Sequence, residues 1–279
     1  MMPDNDSVEL DELARLAEDT ARRAGAFIVQ AGAKGRDRAL LKKDARTKSS
    51  LTDLATEADR MSEELIVQEL LGARPDDAIF GEEGGSHAGT SGLTWVIDPV
   101  DGTTNFVYDF ASFAVSIAAV HEDTALVGVV HDPMKDETFV ATKGGGAKLN
   151  GRDIERVGIA PPLSQSLIGT GFGYSSAQRL EQAALLPTVL PAVRDIRRAG
   201  SAALDLCYVA IGRLDAYYEA GLKAWDRAAG LLVATESGLG YADLAELIAS
   251  ANTLVVGPAG LLDELCALLE YAKSKALSS

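Results

Sequence analysis

Two cysteines and three histidines in 279 residues leave little material for soft-metal or imidazole chemistry. Cys207 and Cys266 are too few and too far apart in sequence for a disulfide framework or a thiolate zinc site. Both lie in apolar, helix-like surroundings, as core residues do. Basic residues are also short, because 26 Lys and Arg stand against 41 Asp and Glu, a net charge of −15. A nucleic-acid backbone calls for a basic surface, so nucleic acid is not expected as a partner. No uninterrupted apolar run approaches the roughly 20 residues of a membrane span, so no membrane association is expected. The N-terminus is acidic rather than basic and then apolar, which argues against a signal peptide and for a cytoplasmic protein. Internal repeats and low-complexity stretches are missing as well. The acidic balance does not by itself argue for a metal, since it usually reflects a solvated surface.

Hydrophobic residues make up 47% of the chain, enough to bury a large core as one domain or two closely joined halves. Leu10, Leu13, Ala17, Ala21, Ala24 and Phe27/Ile28 recur at helical spacing and predict a helix over 7–31. Residues 33–52 are polar and basic and read as a mobile hairpin or loop. A helix near 56–71, a strand ending at Glu82 and a Gly/Ser stretch over 84–92 follow. From Phe113 to Leu149, apolar segments divided by short polar turns predict an antiparallel meander. After 165 the pattern alternates, with strands at 167–171, 195–198 and 214–219 and helices at 177–193, 201–212 and 226–238. A strand at 253–257 and a helix at 260–273 close the chain. Strands grouped first and alternation later predict a layered α+β fold. It is read as a single domain over 1–279, with one half near 1–160 holding the antiparallel sheet and an alternating half near 161–279.

The most informative stretch is Trp95-Val96-Ile97-Asp98-Pro99-Val100-Asp101-Gly102-Thr103-Thr104-Asn105-Phe106. An apolar strand ends in two carboxylates, and proline and glycine bracket the second, so the chain turns and both carboxylates can converge. Hard cations such as Mg2+ are held by oxygen clusters of this kind. A helix starting after the turn would place Gly102, Thr103 and Thr104 at its N-terminus, where free N–H groups bind phosphate. The alternative is a solvated turn. Three further acidic sites stand elsewhere: Gly81-Glu82-Glu83-Gly84-Gly85 after a short strand, Thr56-Glu57-Ala58-Asp59 opening a helix, and Trp225-Asp226 at the head of an apolar helix. Asp59 and Asp226 could equally be ordinary helix caps.

Taken together and in order, these motifs resemble the inositol monophosphatase family. The resemblance takes in W-V-I-D-P-V-D-G-T-T-N-F, the upstream G-E-E, T-E-A-D and the distal W-D-x-A-A-G. It extends to Lys48-Ser49-Ser50, to Arg197 through Leu206 and to Gly212 through Glu219, nearly the whole chain. It implies a five-layer αβαβα sandwich of the inositol monophosphatase and fructose-1,6-bisphosphatase type, and a homodimer. Carried over residue by residue, it implies that Glu82, Asp98 and the Val100 carbonyl ligate one Mg2+, and that Asp98, Asp101 and Asp226 ligate a second. A third, weaker ion would touch Glu82 and waters, giving two to three Mg2+ per site with Li+ sensitivity. Asp59 and Thr103 would orient the attacking water, while Gly102, Thr103 and Thr104 would offer N–H groups to the phosphate. Asp101, Ala202, Glu219 and Asp226 match positions that contact the polyol, and Lys48 matches a loop residue. No Cys or Ser motif marks a covalent nucleophile.

The implied activity is Mg2+-dependent hydrolysis of a phosphate monoester, with myo-inositol 1-phosphate as the expected substrate among small phosphorylated polyols and sugar alcohols. Thr104-Asn105-Phe106 follows D-G-T where nucleotide and histidinol-phosphate phosphatases of the wider superfamily often carry lysine. Histidinol phosphate, fructose 1,6-bisphosphate and a nucleotide 3′-phosphate are the alternatives within the same chemistry. Some bacterial relatives of this branch also bind transcription machinery, so a regulatory protein is the alternative of another class. The intact ligand set argues for the enzyme. The chain departs from the family pattern at Asp109, where glycine is usual, and at Ala111, Leu51 and Ala224, where proline is frequent. The stretch 237–256 matches poorly, and no element is assigned between 238 and 253.

Overall fold

A computed structural model describes residues 4–34, 46–47, 54–155, 160–248 and 251–277. The first helix, α1 (Asp4–Lys34), presents Leu13, Ala17, Ala21, Ala24 and Ile28 as one buried stripe. Three alanines on that stripe keep its contact face thin, so the helix lies flat on a sheet. A two-residue ladder, β1 (Arg46–Thr47) with β2 (Leu54–Ala55), runs antiparallel just before α2 (Glu57–Ala73). Lys48 and most of the polar 33–52 stretch fall outside the described residues.

The first sheet holds β3 (Ala78–Gly81), β4 (Ser86–His87), β5 (Leu93–Asp101), β6 (Ala114–His121), β7 (Thr124–Asp132), β8 (Glu137–Thr142), β9 (Gly146–Leu149) and β10 (Arg152–Asp153), in the order β10-β9-β8-β7-β6-β5-β3-β4. From β5 to β10 it is the antiparallel meander read from the sequence. Only β3 lies parallel to its neighbour β5. A short helix, α3 (Thr103–Tyr108), follows β5.

The second sheet holds β11 (Leu167–Thr170), β12 (Asp195–Arg197), β13 (Ala216–Ala220), β14 (Gly240–Ile248) and β15 (Ala251–Gly257), in the order β12-β11-β13-β15-β14. Its first three strands are parallel, as the alternating pattern requires, and β13-β15-β14 are antiparallel. The remaining helices are α4 (Ser176–Val189), α5 (Ala202–Ala210), α6 (Ala224–Glu236) and α7 (Ala259–Ala276). The two-residue strands β4 and β10 and the longer strand β14 are absent from the sequence reading.

Four apolar interfaces separate five layers. Trp95 and Ile97 of β5 pack toward α1 and α2 with Ile66 and Leu70, whereas Val96 between them packs toward Leu204, Cys207, Ala229 and Val233 of α5 and α6. That alternation is the period of two expected of a strand covered on both faces. The other sides of α5 and α6 carry Leu206, Val209 and Ala234 against Tyr217, Leu254 and Val256 of the second sheet. The far face of that sheet packs Ile168, Tyr218 and Val255 on Leu185 and Val189 of α4 and Leu265 and Leu269 of α7. The fold is the αβαβα sandwich. Among the described residues, no helix is long and apolar enough to cross a membrane.

Candidate functional site

In a regular strand, side chains three residues apart point to opposite faces. Pro99 carries no N–H to donate, and the register of β5 with β6 shifts between Asp98 and Asp101. An irregularity of this kind re-aims a strand end. Its result here is convergence: oxygen atoms of Asp98, Asp101 and Asp226 lie within 4.8 Å of one another. Gly102 then turns the chain with φ 98°, where a Cβ would also stand 3.0 Å from the Ser112 carbonyl oxygen and 3.1 Å from that of Gly200. Only glycine satisfies both the left-handed backbone and the close approach.

Each carboxylate is held by backbone or hydroxyl donors. The Val100 N–H donates to Asp98 Oδ1 at 3.0 Å. Ser201 Oγ and the Ala203 N–H donate to Asp101 Oδ2 at 2.5 and 2.8 Å. Ser201 also caps α5, so the start of that helix is fastened to the end of β5. The Lys223 N–H donates to Asp226 Oδ2 at 2.6 Å. The Trp225 ring packs against Phe80 at a tilt, with centroids 5.1 Å apart, and its carbonyl accepts from Ser116 Oγ at 3.2 Å, which sets the start of α6 against the first sheet.

Asp59 is fully buried in the first turn of α2, where it completes a capping box with Thr56. Its Oδ2 caps the helix by accepting from the N–H and hydroxyl of Thr56, and its Oδ1 accepts from Thr103 Oγ1 at 2.9 Å. Thr103 Oγ1 also lies 3.1 Å from the Val100 carbonyl oxygen. Thr104 is half-buried beside it in the first turn of α3. Glu82 follows β3, its N–H donating to the Ile97 carbonyl at 3.2 Å. Its carboxyl reaches Asp98.

The electrostatics are those of a site short of positive charge. Burial pushes Asp98 well above the usual carboxylate range, and the charges of Glu82, Asp101 and Asp226 add to it. Asp226 is pushed the same way by burial and by Asp101. Burial carries Asp101 up to about 6 even though Ser201 and Ala203 pull it down. A hard cation among these all-oxygen donors would offset the repulsion, so the residues fit Mg2+.

Asp101, Ala202, Glu219 and Asp226 line one cavity of about 630 Å³, with Arg198 and Tyr174 on its walls. Glu219 accepts a short hydrogen bond from the Tyr217 hydroxyl, and burial pushes its carboxyl up to about 7. Two larger grooves, of about 730 Å³ along α1 and β8–β9 and about 930 Å³ along α6, do not contain the acidic cluster. Thr56 and Ser201 were missed by the sequence reading. Thr56 had a signal, because a threonine three residues before an acidic residue marks a capping box. Asp205, in the first turn of α5 with a buried Oδ1 that makes no hydrogen bond, had none.

The sequence profile described as the inositol monophosphatase family matches residues 9–273. A Mycobacterium tuberculosis protein named inositol-1-monophosphatase SuhB is 44% identical over 283 residues, covering 96% of each chain. A Pasteurella multocida protein named Nus factor SuhB is 42% identical over 232 residues, covering 82% of this chain and 84% of its own. Among solved structures, Mycobacterium tuberculosis SuhB superposes with a TM-score of 0.78 at 39% identity, covering 94% of this chain and 97% of that one. A Thermotoga maritima IMPase does so with a TM-score of 0.80 at 30% identity, covering 96% and 99%. The protein belongs to the inositol monophosphatase family.

Proposed function

We propose that this protein is a Mg2+-dependent phosphomonoesterase acting on myo-inositol 1-phosphate and related small polyol phosphates. The observation that carries the reading is the convergence of Asp98 with Asp101 and Asp226, two residues that line a cavity also holding Glu219. Glu82, Asp98 and the Val100 carbonyl would hold one Mg2+, and Asp98, Asp101 and Asp226 a second, with Glu82 sharing a weaker third. Bound there, Mg2+ supplies charge neutralisation of the phosphate, activation of water and stabilisation of the leaving oxygen.

The chain's own groups do the rest. Thr103 donates its hydroxyl hydrogen bond to Asp59 Oδ1, which leaves the Oγ1 lone pairs to accept a hydrogen bond from the attacking water and so orient it. Asp59 cannot rotate away, because its other oxygen is held by Thr56. The N–H groups of Gly102, Thr103 and Thr104 open α3 without intrahelical acceptors and suit a phosphate oxygen. Asp101, Ala202, Glu219 and Asp226 face the alcohol, with Glu219 placed to bond a sugar-alcohol hydroxyl. The name borne by the Mycobacterium tuberculosis relative supports the inositol substrate.

The test is phosphate release from inositol 1-phosphate, glycerol 2-phosphate, histidinol phosphate, fructose 1,6-bisphosphate and adenosine 3′,5′-bisphosphate, with Mg2+, with EDTA and with added Li+. Mg2+-dependent, Li+-sensitive turnover led by inositol 1-phosphate is expected. Turnover led by another ester would overturn the substrate and keep the chemistry. No turnover on any ester would overturn the enzyme and favour the regulatory role that the similarity to a Nus factor offers.

A further inference from the structure

Glu63 stands four residues after Asp59 on α2, one turn along the same face, and is 5% exposed. Its carboxylate does not point to solvent. Instead Oε2 accepts from the Glu83 N–H at 2.8 Å and Oε1 accepts from the Gly85 N–H at 2.6 Å. One carboxylate thus bridges two N–H groups that flank Gly84, just after Glu82, in the bend after β3. The same bend is closed by the Gly81 N–H donating to the Gly85 carbonyl at 2.7 Å and by the Glu82 N–H donating to Ile97 at 3.2 Å.

The glycines of Gly81-Glu82-Glu83-Gly84-Gly85 fit around this carboxylate. A Cβ on Gly81 would stand 2.5 Å from Glu63 Oε2, and one on Gly85 would stand 2.6 Å from Oε1. Both contacts are closer than real Cβ atoms approach an oxygen, so the two glycines form the cradle in which the carboxylate sits. A buried carboxylate bound by successive backbone N–H groups is the arrangement of an anion in a backbone nest.

We infer that Glu63 is a positioning residue for the metal centre: it fixes the bend that carries Glu82, so that the Glu82 carboxylate is presented to Asp98. This rests on the reading of Glu82 as a metal ligand. The helix α2 then serves the site twice, through Asp59 toward Thr103 and through Glu63 toward Glu82. Groups that hold a ligand in place without touching the ion commonly change metal affinity or activity by roughly 10–100-fold when removed.

The experiment uses the full chain and Mn2+ as the probe, with free Mn2+ followed by electron paramagnetic resonance, beside the Mg2+ dependence of phosphate release. Glu63→Gln keeps the side-chain volume and one acceptor oxygen but replaces the other by a donor that opposes an N–H. Its Mn2+ dissociation constant and its half-saturating Mg2+ are expected to rise roughly 10–100-fold, with kcat at saturating Mg2+ within a few-fold of wild type. Gly85→Ala is expected to weaken Mn2+ binding similarly, and the double variant to be little worse than either alone. Met61→Ala, on the exposed side of the same helix, serves as the control and is expected to bind Mn2+ as wild type does. Glu63→Asp, which keeps the charge on a shorter stem, is measured the same way if Glu63→Gln lacks native near-UV circular dichroism. A folded Glu63→Gln with wild-type Mn2+ affinity overturns the inference, as does loss of the native fold in both Glu63 variants, which makes the residue purely structural. A wild-type protein that binds no Mn2+ overturns the metal-centre reading itself, a different failure read in the first titration.

Discussion

Replacing Asp98 by asparagine should move stability and activity in opposite directions. Asp98 is 1% exposed and faces Asp101 and Asp226 with oxygen atoms within 4.8 Å. Two unit charges at that distance repel by about 3.5 kcal/mol at an effective dielectric of about 20. Burial already keeps a proton on this carboxyl over part of the pH range, so the relief on neutralising it is smaller, about 1–3 kcal/mol. Asparagine retains an Oδ1 to accept from the Val100 N–H, so no donor is orphaned. For a chain of this size, 1 kcal/mol corresponds to roughly 2 °C, so the metal-free variant should melt about 2–6 °C above the metal-free wild type. With Mg2+ present the ranking should reverse, because the wild type gains binding energy that the variant lacks. Turnover should fall by at least about 100-fold through lost charge stabilisation at the transition state. Differential scanning fluorimetry with and without EDTA, beside phosphate release, reads all three. A folded Asp98→Asn protein with near-wild-type turnover, or one that melts lower than wild type without metal, refutes the reasoning.

Thr103→Ala should lose about 100-fold or more in kcat with little change in KM, whereas Thr103→Ser, which keeps the hydroxyl on Asp59, should stay within several-fold. Equal losses in both would remove the hydroxyl from the chemistry. At the end of α3, Asp109 has φ 62°, so Asp109→Val should cost about 1–2 kcal/mol while Asp109→Gly is tolerated, as read from urea midpoints. Burial, aided by Arg22, holds the His131 imidazole below its ordinary value. The unfolded chain therefore binds a proton there that the native state lacks, and this group makes stability rise with pH up to about 6.5 and fall as the solution is acidified below it. Urea midpoints between about pH 5 and 7 should slope less steeply in His131→Gln than in wild type; identical slopes would show that His131 does not contribute.

Much of this was legible in the sequence, and the reasons are local. The β6–β9 meander shows short apolar segments and polar turns, and β5 shows a continuous apolar run because it is covered on both faces. Asp98 and Asp101 could be read as convergent because proline and glycine bracket the second. The strand β14 was not legible. Its sequence, Gly240-Tyr241-Ala242-Asp243-Leu244-Ala245-Glu246-Leu247-Ile248, is rich in helix formers, and as an edge strand paired only with β15 it buries little beyond Leu247 and Ile248. The contacts between Thr103 and Asp59, Ser201 and Asp101, and Glu63 and the 83–85 bend join residues distant in the chain, and spacing carries no trace of them.

The most direct measurement is anomalous diffraction from crystals grown with Mn2+ and inositol 1-phosphate. Two or more Mn2+ peaks are expected among Glu82, Asp98, the Val100 carbonyl, Asp101 and Asp226, with the phosphate at Gly102–Thr104 and the ring toward Glu219. Ordered Mn2+ elsewhere with none at this cluster, or the ester bound away from it, would contradict the assignment.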